Sequence, residues 1–337
     1  MESRQKHNNF DLRSIWTDYI WPFIGLPEHP GIGLMLFTCF GSSLLVQLIW
    51  QWLPEDQLFF SKTSLIGYSF VTITRLLLLL MIFVIITEQF RIKEHHIWGR
   101  NPGLGAFFMS FLAGAPAMLL ATSIHNLFIF MVLKMENPLP SQLYYYVTTD
   151  SSFQSRTLIL IVTILLPIII EELFFRGLFF SVIPDKWWLR IPLPALLSTL
   201  FATNRLEFFS FLIIGLFASI VRYFTGNVLC SCLMRGGIVC STILLENFIS
   251  DLDPYSVQNA IDYSRTVLYT SIIAFCVGII MMLVLIKQLR YYQYLQKNED
   301  IRCNTPEAKP IPIPLRAHFR LDFFIGVACI ILCWIRA

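Results

Sequence analysis

Long apolar stretches, separated by short polar connections, recur along almost the whole chain. A helix that crosses a bilayer needs about 20 predominantly apolar residues. Nine runs predict such helices, and they cover residues 31–52, 65–87, 104–133, 157–183, 192–206, 208–222, 228–247, 266–287 and 321–335. The pattern therefore predicts an all-α fold, a polytopic membrane helix bundle with about eight or nine transmembrane helices.

Three of the runs are irregular in ways that predict local structure. The run 104–133 is long and contains Pro116, which predicts a kink or a tilt because proline lacks the N–H that an interior helical turn requires. The runs 192–206 and 208–222 are too short to cross a bilayer alone. We expect them to form a tight hairpin, or to begin below the membrane surface.

The composition supports a membrane protein and argues against a soluble domain, a nucleic-acid-binding protein and a metal site. The 337 residues are 56% hydrophobic and 14% charged, whereas a soluble domain is about one quarter charged. The net charge of +3 is small and dispersed, so we expect the lipid bilayer and not nucleic acid as a partner. Eight cysteines include no CxxC pair, and Cys230-x-Cys232 alone is too little for a metal site. We expect no metal and no cofactor.

The basic residues of the connections between the runs predict the orientation of the chain in the membrane. Lys and Arg are concentrated in residues 1–30, 88–103 and 288–320, whereas 53–64 and 248–265 contain one each. Because basic loops are retained on the cytoplasmic side, this pattern predicts a multi-pass protein with a cytoplasmic N-terminus.

We expect the chain to divide into three parts. These are N-terminal transmembrane helices in 1–150, a core in 151–250, and C-terminal helices with a Pro-rich cytoplasmic linker in 251–337.

The candidate chemistry lies within the apolar run 157–183. Glu171, Glu172 and Arg176 interrupt the sequence Leu165-Leu-Pro-Ile-Ile-Ile-Glu-Glu-Leu-Phe-Phe-Arg-Gly177. A charge at membrane depth is expensive and is rarely left without a partner or a function. On a helix, Glu172 and Arg176 are neighbours at i,i+4 and can pair. Glu171 lies about 100° round the helix and can face a cavity, where a carboxylate can act as a general base toward water.

A structural interpretation of these charges is a buried ion pair that fixes helix packing. The same alternative applies to Arg75, midway along the run 65–87. We expect Arg75 to take part in a structural ion pair, although it can also complete the charged cluster or face a cavity. His125-Asn126 is interpreted as a packing pair.

The sequence around the glutamates resembles the CPBP family, which includes type II CAAX prenyl endopeptidases and bacteriocin-processing or immunity proteins. The first motif is E-E-x-x-F-R-G, from Glu171 to Gly177. Residues 195–205 are similar to the F-x-x-x-H helix of the family, 211–215 and 225–227 to its next helix and turn, and 229–239 to its final H-x-x-x-N helix. The resemblance covers about residues 155–247 in matching order and spacing.

The resemblance implies a metal-independent, glutamic-type peptidase site, with important departures. It places the water-activating base at Glu171, with Glu172 and Arg176 beside it. The two family histidines fall on Arg205 and Arg235, and the asparagine falls on Val239. Residues 126–317 contain no histidine. A guanidinium cannot pass on a proton at neutral pH, but as a fixed positive charge it can stabilise an oxyanion.

Three hypotheses about function follow. The first is an intramembrane peptidase that hydrolyses a peptide bond of a membrane-associated substrate, with prenylated peptides as one class. The second is a catalytically inactive relative that binds a membrane protein or a lipidated peptide in the cavity that would hold the active site in the family. The third is a transporter or an anion-binding membrane protein that uses the arginine cluster.

Overall fold

The computed structural model describes residues 30–54, 65–134, 161, 165–202, 207–245, 249, 261–303, 313 and 318–336. Regular structure in these ranges is helical, apart from one isolated β-bridge between Gly99 and Asn227. In hydrocarbon, a helix satisfies its backbone N–H and C=O groups internally, which suits this composition. The first helices are α1 (Ile32–Trp52), α2 (Leu65–Gln89), α3 (Glu94–Trp98), α4 (Leu104–Leu112) and α5 (Gly114–Lys134).

The second half of the chain contains the charged motif and the longest helix. After α6 (Leu166–Glu172) the helix widens into a π-helical segment, π1 (Leu173–Phe179), and ends in α7 (Phe180–Val182). The remaining helices are α8 (Trp187–Arg190), α9 (Pro192–Ala202), α10 (Phe208–Thr225), α11 (Val228–Leu245), α12 (Ile261–Cys303) and α13 (Leu321–Arg336).

Six helical stretches in the described residues are long and apolar enough to cross a membrane. They are Ile32–Trp52, Ser69–Gln89, Leu104–Met131, Phe208–Thr225, Val228–Leu245 and Arg265–Leu295. Each overlaps a run identified in the sequence, so the all-α polytopic membrane bundle is confirmed. The helix Phe208–Thr225 extends three residues beyond the run 208–222 and is long enough to cross, although the run was expected to be too short to cross alone. The count of eight or nine spans, the cytoplasmic N-terminus and the three-part division of the chain stay predictions.

Large apolar side chains cover much of the outer surface of these helices. On α12, Ile280 and Leu283 are each 63% exposed, and Leu77 on α2 is 57% exposed. Apolar surface on this scale would be unfavourable in water. Its position on the outside of helices that can span a bilayer identifies it as lipid-facing surface.

The long run 104–133 is interrupted near its proline, as the sequence predicts. α4 ends at Leu112 and α5 begins at Gly114, with Pro116 in the first turn of α5. Ala113 between them still donates to the main-chain oxygen of Met109 at 3.0 Å and accepts from the N–H of Ala117 at 3.3 Å. Proline is tolerated in a first turn because the N–H groups there have no partner within the helix. The interruption therefore lies within the turn that ends at Pro116, which has no N–H to donate to the residues before it.

Glycine allows helices to approach closely at several crossings. A Cβ on Gly114 would overlap the backbone of Gly237 on α11. At the crossing of α13 with α1, a Cβ on Gly326 would lie 2.7 Å from the Cβ of Leu36. Small residues at such crossings are typical of membrane helices, where packing replaces the hydrophobic effect as the driving force.

The segment α6–π1 lies in the middle of the bundle. Phe174, Phe175 and Phe179 of π1 are buried together with Phe40 of α1 and Phe201 of α9. Edge-to-face contacts join the rings of Phe175 and Phe201 at 5.7 Å, and those of Phe40 and Phe201 at 6.2 Å. This aromatic core fixes the π-helical segment that follows the two glutamates.

Candidate functional site

The charged motif lies at the junction between an α-helix and a π-helix. Pro167 is the second residue of α6 and follows Leu165, whose backbone is already helical. Because proline has no N–H, Pro167 cannot donate a hydrogen bond to the preceding turn. Glu171 and Glu172 end the α-helical part, and Arg176 lies within the π-helical segment. Such π-helical insertions are rare and occur frequently at functional sites.

Glu172 and Arg176 form a fully buried ion pair. Arg176 Nη1 lies 3.1 Å from Glu172 Oε1, and the two side chains are 1% and 0% exposed. Arg176 Nη2 also donates to Ser198 Oγ and to the main-chain oxygen of Gly215, both at 2.9 Å. The i,i+4 pair expected from the helical period is confirmed, and it ties π1 to α9 and α10.

Arg235 of α11 reaches the same carboxylates from the other side. Its Nη1 lies 2.9 Å from Glu171 Oε2 and 3.3 Å from Glu172 Oε1, and 3.5 Å from the main-chain oxygen of Pro167. Glu172 Oε1 is therefore shared by two guanidiniums. Among the described residues, the cluster of Glu171, Glu172, Arg176 and Arg235 contains two negative and two positive charges, and we call it the charged cluster.

The two glutamates differ in their remaining oxygens. Glu172 Oε2 is buried and has no hydrogen-bond partner within the described part of the chain. Glu171 is 9% exposed, and its only hydrogen bond to a described residue is the one that Oε2 accepts from Arg235. Glu171 Oε1 therefore remains accessible to water or to a ligand, whereas Glu172 is enclosed by protein.

A largely apolar groove of about 620 Å³ lies between α4, α6 and α11, and its lining residues alternate along α6 and α11 with those of the charged cluster. Cys232 and Val239, three residues before and four residues after Arg235, both line it. Glu172 follows Ile168, another lining residue, by one turn on α6. The remaining lining residues are Phe107, Phe111, Leu165, Leu229, Leu233, Gly236 and Cys240.

The structure brings together four of the five site residues identified in the sequence. Arg205 lies outside the described residues, so its place near Glu171 stays a prediction. Val239, where the resemblance expects an asparagine, lines the groove with hydrocarbon. Arg75, the further charged candidate, donates from Nη1 to the main-chain oxygen of Phe201 at 3.1 Å, and its guanidinium lies 4.6 Å from the centroid of that ring.

Sequence reasoning missed the residues that hold Arg176. Ser198 binds the Arg176 side chain, and Arg222 of α10 donates from Nε to the Arg176 main-chain oxygen at 2.9 Å. A buried arginine within the apolar run 208–222 was the available signal for Arg222, since such a charge requires partners. Ser198 had no comparable signal, because serine is common in membrane helices.

The described residues contain no group of three or more His, Cys, Asp or Glu side chains that could hold a metal ion. The expectation that the site needs neither metal nor cofactor stays a prediction.

Comparison with known families identifies part of the chain. Residues 153–240 match the family model described as type II CAAX prenyl endopeptidase Rce1-like. The matched segment is Rce1-like. This confirms the resemblance expected from the E-E-x-x-F-R-G motif, and the Rce1-like segment contains all four residues of the charged cluster. Whether arginine replaces both family histidines stays a prediction. No curated protein and no solved structure matches the chain.

Proposed function

We propose that the protein is an intramembrane glutamic-type peptidase that hydrolyses a peptide bond of a membrane-associated substrate. The observation that carries the proposal is the contact between Glu171 and Arg235 beside the apolar groove. It couples a carboxylate that has one accessible oxygen to a fixed positive charge. The Rce1-like match over residues 153–240 supports the same class of membrane protein.

Glu171 is the proposed general base and, afterwards, the general acid. Its Oε1 takes a proton from water, and the resulting hydroxide attacks the carbonyl carbon of the peptide bond. When the C–N bond breaks, the same carboxyl returns the proton to the leaving nitrogen. A single carboxyl thus completes the proton transfers, so this scheme does not need a histidine relay.

Arg235 is the proposed stabiliser of the oxyanion. A guanidinium donates hydrogen bonds and carries a charge that does not titrate at neutral pH. In a site largely closed to water, a fixed positive charge near the developing oxyanion stabilises the transition state more than the ground state. Glu172 and Arg176 are proposed to hold Glu171 in place through the shared contacts of Glu172 Oε1.

The experiment uses the full chain in liposomes with a mixed pool of prenylated and membrane-anchored peptides, and mass spectrometry identifies the products. We expect cleavage that Glu171→Gln abolishes. Glu88→Gln is the matched control, because Glu88 is exposed at the end of α2, and it should cleave like the parent. Cleavage that persists in folded Glu171→Gln would disprove the role of Glu171.

A second candidate is a catalytically inactive relative that binds a membrane protein or a lipidated peptide. It is favoured by Val239, which lines the groove where the resemblance expects an asparagine. If this candidate is correct, the parent protein cleaves nothing in the pool. The triple variant Arg205→His, Arg235→His, Val239→Asn should then gain activity that the parent lacks.

A further inference from the structure

The short helix α8 lies outside the helical stretches that can cross a membrane, in the connection between α7 and α9. It packs against α9 and α10, whereas its Trp187 and Trp188 are 65% and 53% exposed. Tryptophan side chains in membrane proteins concentrate at the level of the lipid headgroups, where the apolar ring and the polar N–H both find partners. Two exposed tryptophans are therefore typical of a helix that lies at the headgroup level.

Arg190, the last residue of α8, is fixed by three contacts and keeps one donor for a further partner. Its Nη1 donates to Asp185 Oδ1 at 2.8 Å, its Nε donates to the main-chain oxygen of Ile183 at 3.4 Å, and its guanidinium lies 4.8 Å from the centroid of the Phe180 ring. Among the described residues Nη2 has no hydrogen-bond partner, and the side chain is 11% exposed. Because the guanidinium is already oriented, little conformational entropy is lost when Nη2 binds an anion.

The positive charge around the Phe180 ring exceeds the negative charge that neutralises it. Arg222 lies against the same ring, 5.4 Å from its centroid, and its guanidinium and that of Arg190 repel each other. Among the described residues, the one carboxylate that acts on Arg190 is that of Asp185. That side chain is 61% exposed, so water screens much of its effect. An anion bound to Arg190 would therefore reduce the repulsion between the two guanidiniums.

Lys186 adds a second accessible charge one helical turn away. The N–H of Arg190 donates to the main-chain oxygen of Lys186 at 3.0 Å, and side chains four positions apart on a helical turn are neighbours. The Lys186 side chain is exposed, and its ammonium lies 5.7 Å from the centroid of the Trp188 ring. The surface of α8 therefore combines positive charge with exposed tryptophan, which suits an anionic headgroup at the surface of the bilayer.

We infer that Lys186 and Arg190 bind the phosphate group of an anionic phospholipid. Arg190 Nη2 and the Lys186 ammonium donate to the phosphate oxygens, and the acyl chains lie beside Trp187 and Trp188. The exposed tryptophans favour a lipid over a soluble phosphate ion, because such rings lie at the boundary between headgroups and acyl chains. The surface involves neither the groove nor the charged cluster, so the inference does not depend on the proposed peptidase activity.

The test measures the affinity of the purified full chain for phosphatidylglycerol by native mass spectrometry, which resolves each bound lipid. Phosphatidylcholine is the matched lipid, because it has the same phosphate group but no net charge. We expect phosphatidylglycerol to bind at least about tenfold more tightly, the ratio that two basic side chains at a headgroup provide. Inorganic phosphate is added in large excess as the soluble source of the group, and it should not displace the lipid.

Charge-removing variants locate the surface. The double variant Lys186→Gln, Arg190→Gln should bind the two lipids with affinities within about twofold of each other. Lys287→Gln, Arg290→Gln is the matched control, because both side chains are exposed on α12 and Arg290 lies 5.7 Å from the ring of Phe224 in the last turn of α10. This control loses the same two charges and should keep the preference of the parent.

A single substitution avoids the structural contacts of Arg190. Lys186→Gln leaves those contacts intact, and we expect it to lower the preference for phosphatidylglycerol about threefold. Lys287→Gln is its control and should have the preference of the parent.

Three results would overturn the inference. Equal affinity of the parent for the two lipids would show that α8 does not select an anionic headgroup. An equal loss of preference in the α8 and α12 double variants would show that the lipid responds to the charge of the whole end of the bundle. Displacement of phosphatidylglycerol by inorganic phosphate would assign the surface to a soluble anion. All of these readouts are binding, so an absence of peptidase activity does not affect them.

Discussion

Arg222 donates a hydrogen bond from Nε to the main-chain oxygen of Arg176 at 2.9 Å, across 46 positions of sequence. Its Nη2 donates to the main-chain oxygen of Ile97 at 3.0 Å, and its guanidinium lies 5.4 Å from the ring of Phe180. One buried side chain of α10 thus joins π1 to α3. Because the Arg176 side chain binds Glu172, Arg222 stabilises the charged cluster through the backbone of Arg176.

Removal of this guanidinium should destabilise the fold. Arg222→Met deletes three hydrogen bonds from a charged donor, to the main-chain oxygens of Arg176, Ile97 and Trp98. We expect the free energy of unfolding to fall by about 3 kcal/mol. Thermal unfolding of the purified protein in detergent measures the change. Arg290→Met is the matched control, because Arg290 is exposed on α12 and its guanidinium lies 5.7 Å from the centroid of the Phe224 ring. Its free energy of unfolding should fall by about 1 kcal/mol or less. Equal losses in the two variants would contradict a supporting role for Arg222.

Alanine substitutions at Gly99 and Gly103 should distinguish the effect of steric overlap from that of backbone strain. Both have φ near +80°, a conformation that a residue with a side chain adopts only at a cost of about 1–3 kcal/mol. A Cβ on Gly99 would overlap the main-chain oxygen of Gly226, whereas one on Gly103 would meet no heavy atom within 4 Å. We therefore expect Gly103→Ala to fold with reduced stability and Gly99→Ala not to fold. Size-exclusion profiles and thermal unfolding of both variants check this. A Gly99→Ala variant that folds and is as stable as Gly103→Ala would contradict it.

The two adjacent glutamates should differ in their contribution to stability. Glu172 is fully buried between Arg176 and Arg235, whereas Glu171 contacts Arg235 alone and its side chain is 11% exposed. Removal of one charge from a fully buried pair costs about 3–5 kcal/mol. We expect Glu172→Gln to be destabilised by about 3 kcal/mol and Glu171→Gln by about 1 kcal/mol. Unfolding curves of the two variants under one set of detergent conditions make the comparison. The reverse order would mean that Glu171 carries the structural role.

The helices and one ion pair could be predicted because each depends on local sequence. Apolar runs of about 20 residues suffice to identify a membrane span, and the helical period places Glu172 beside Arg176. The contact of Arg235 with Glu171 joins positions 64 residues apart, so the local pattern could not supply it. Family resemblance, and not physical reasoning from the residues, indicated that those two positions belong together.

Other features had no signal in the sequence pattern. The π-helical segment Leu173–Phe179 has the same apolar composition as an α-helix, so the hydrophobic pattern does not distinguish the two. The groove arises where α4, α6 and α11 meet, which is a property of packing. The contact of Gly114 with Gly237 likewise requires the crossing of two helices that are remote in sequence.

His318 joins the start of α1 to the segment before α13 through a contact that should depend on pH. Its Nδ1 accepts a hydrogen bond from the backbone N–H of Ile32, the first residue of α1, at 3.3 Å. Arg320 and Asp322 follow it, with 3.9 Å between Arg320 Nε and Asp322 Oδ1. His318 is 2% exposed, and burial lowers the pKa of its imidazole below the ordinary 6.5. Only the neutral imidazole can accept at Nδ1.

The stability of the protein should therefore fall as the pH falls below 6.5, in part because of His318. Below that value the unfolded chain takes up a proton that the folded imidazole still resists, so the folded state binds fewer protons. The loss grows until the pH reaches the lower pKa of the folded state, and above about 7 His318 contributes no pH dependence. His318→Asn keeps an acceptor near Nδ1 but cannot titrate. The stability that this variant loses between pH 7.5 and 5.5 should therefore be about 1 kcal/mol smaller than the loss in the parent. Chemical unfolding in detergent at the two pH values measures this difference, with His95→Asn, at an exposed position on α3, as the control. If His318→Asn and the parent lose the same stability between the two pH values, protonation of His318 does not weaken the contact with α1.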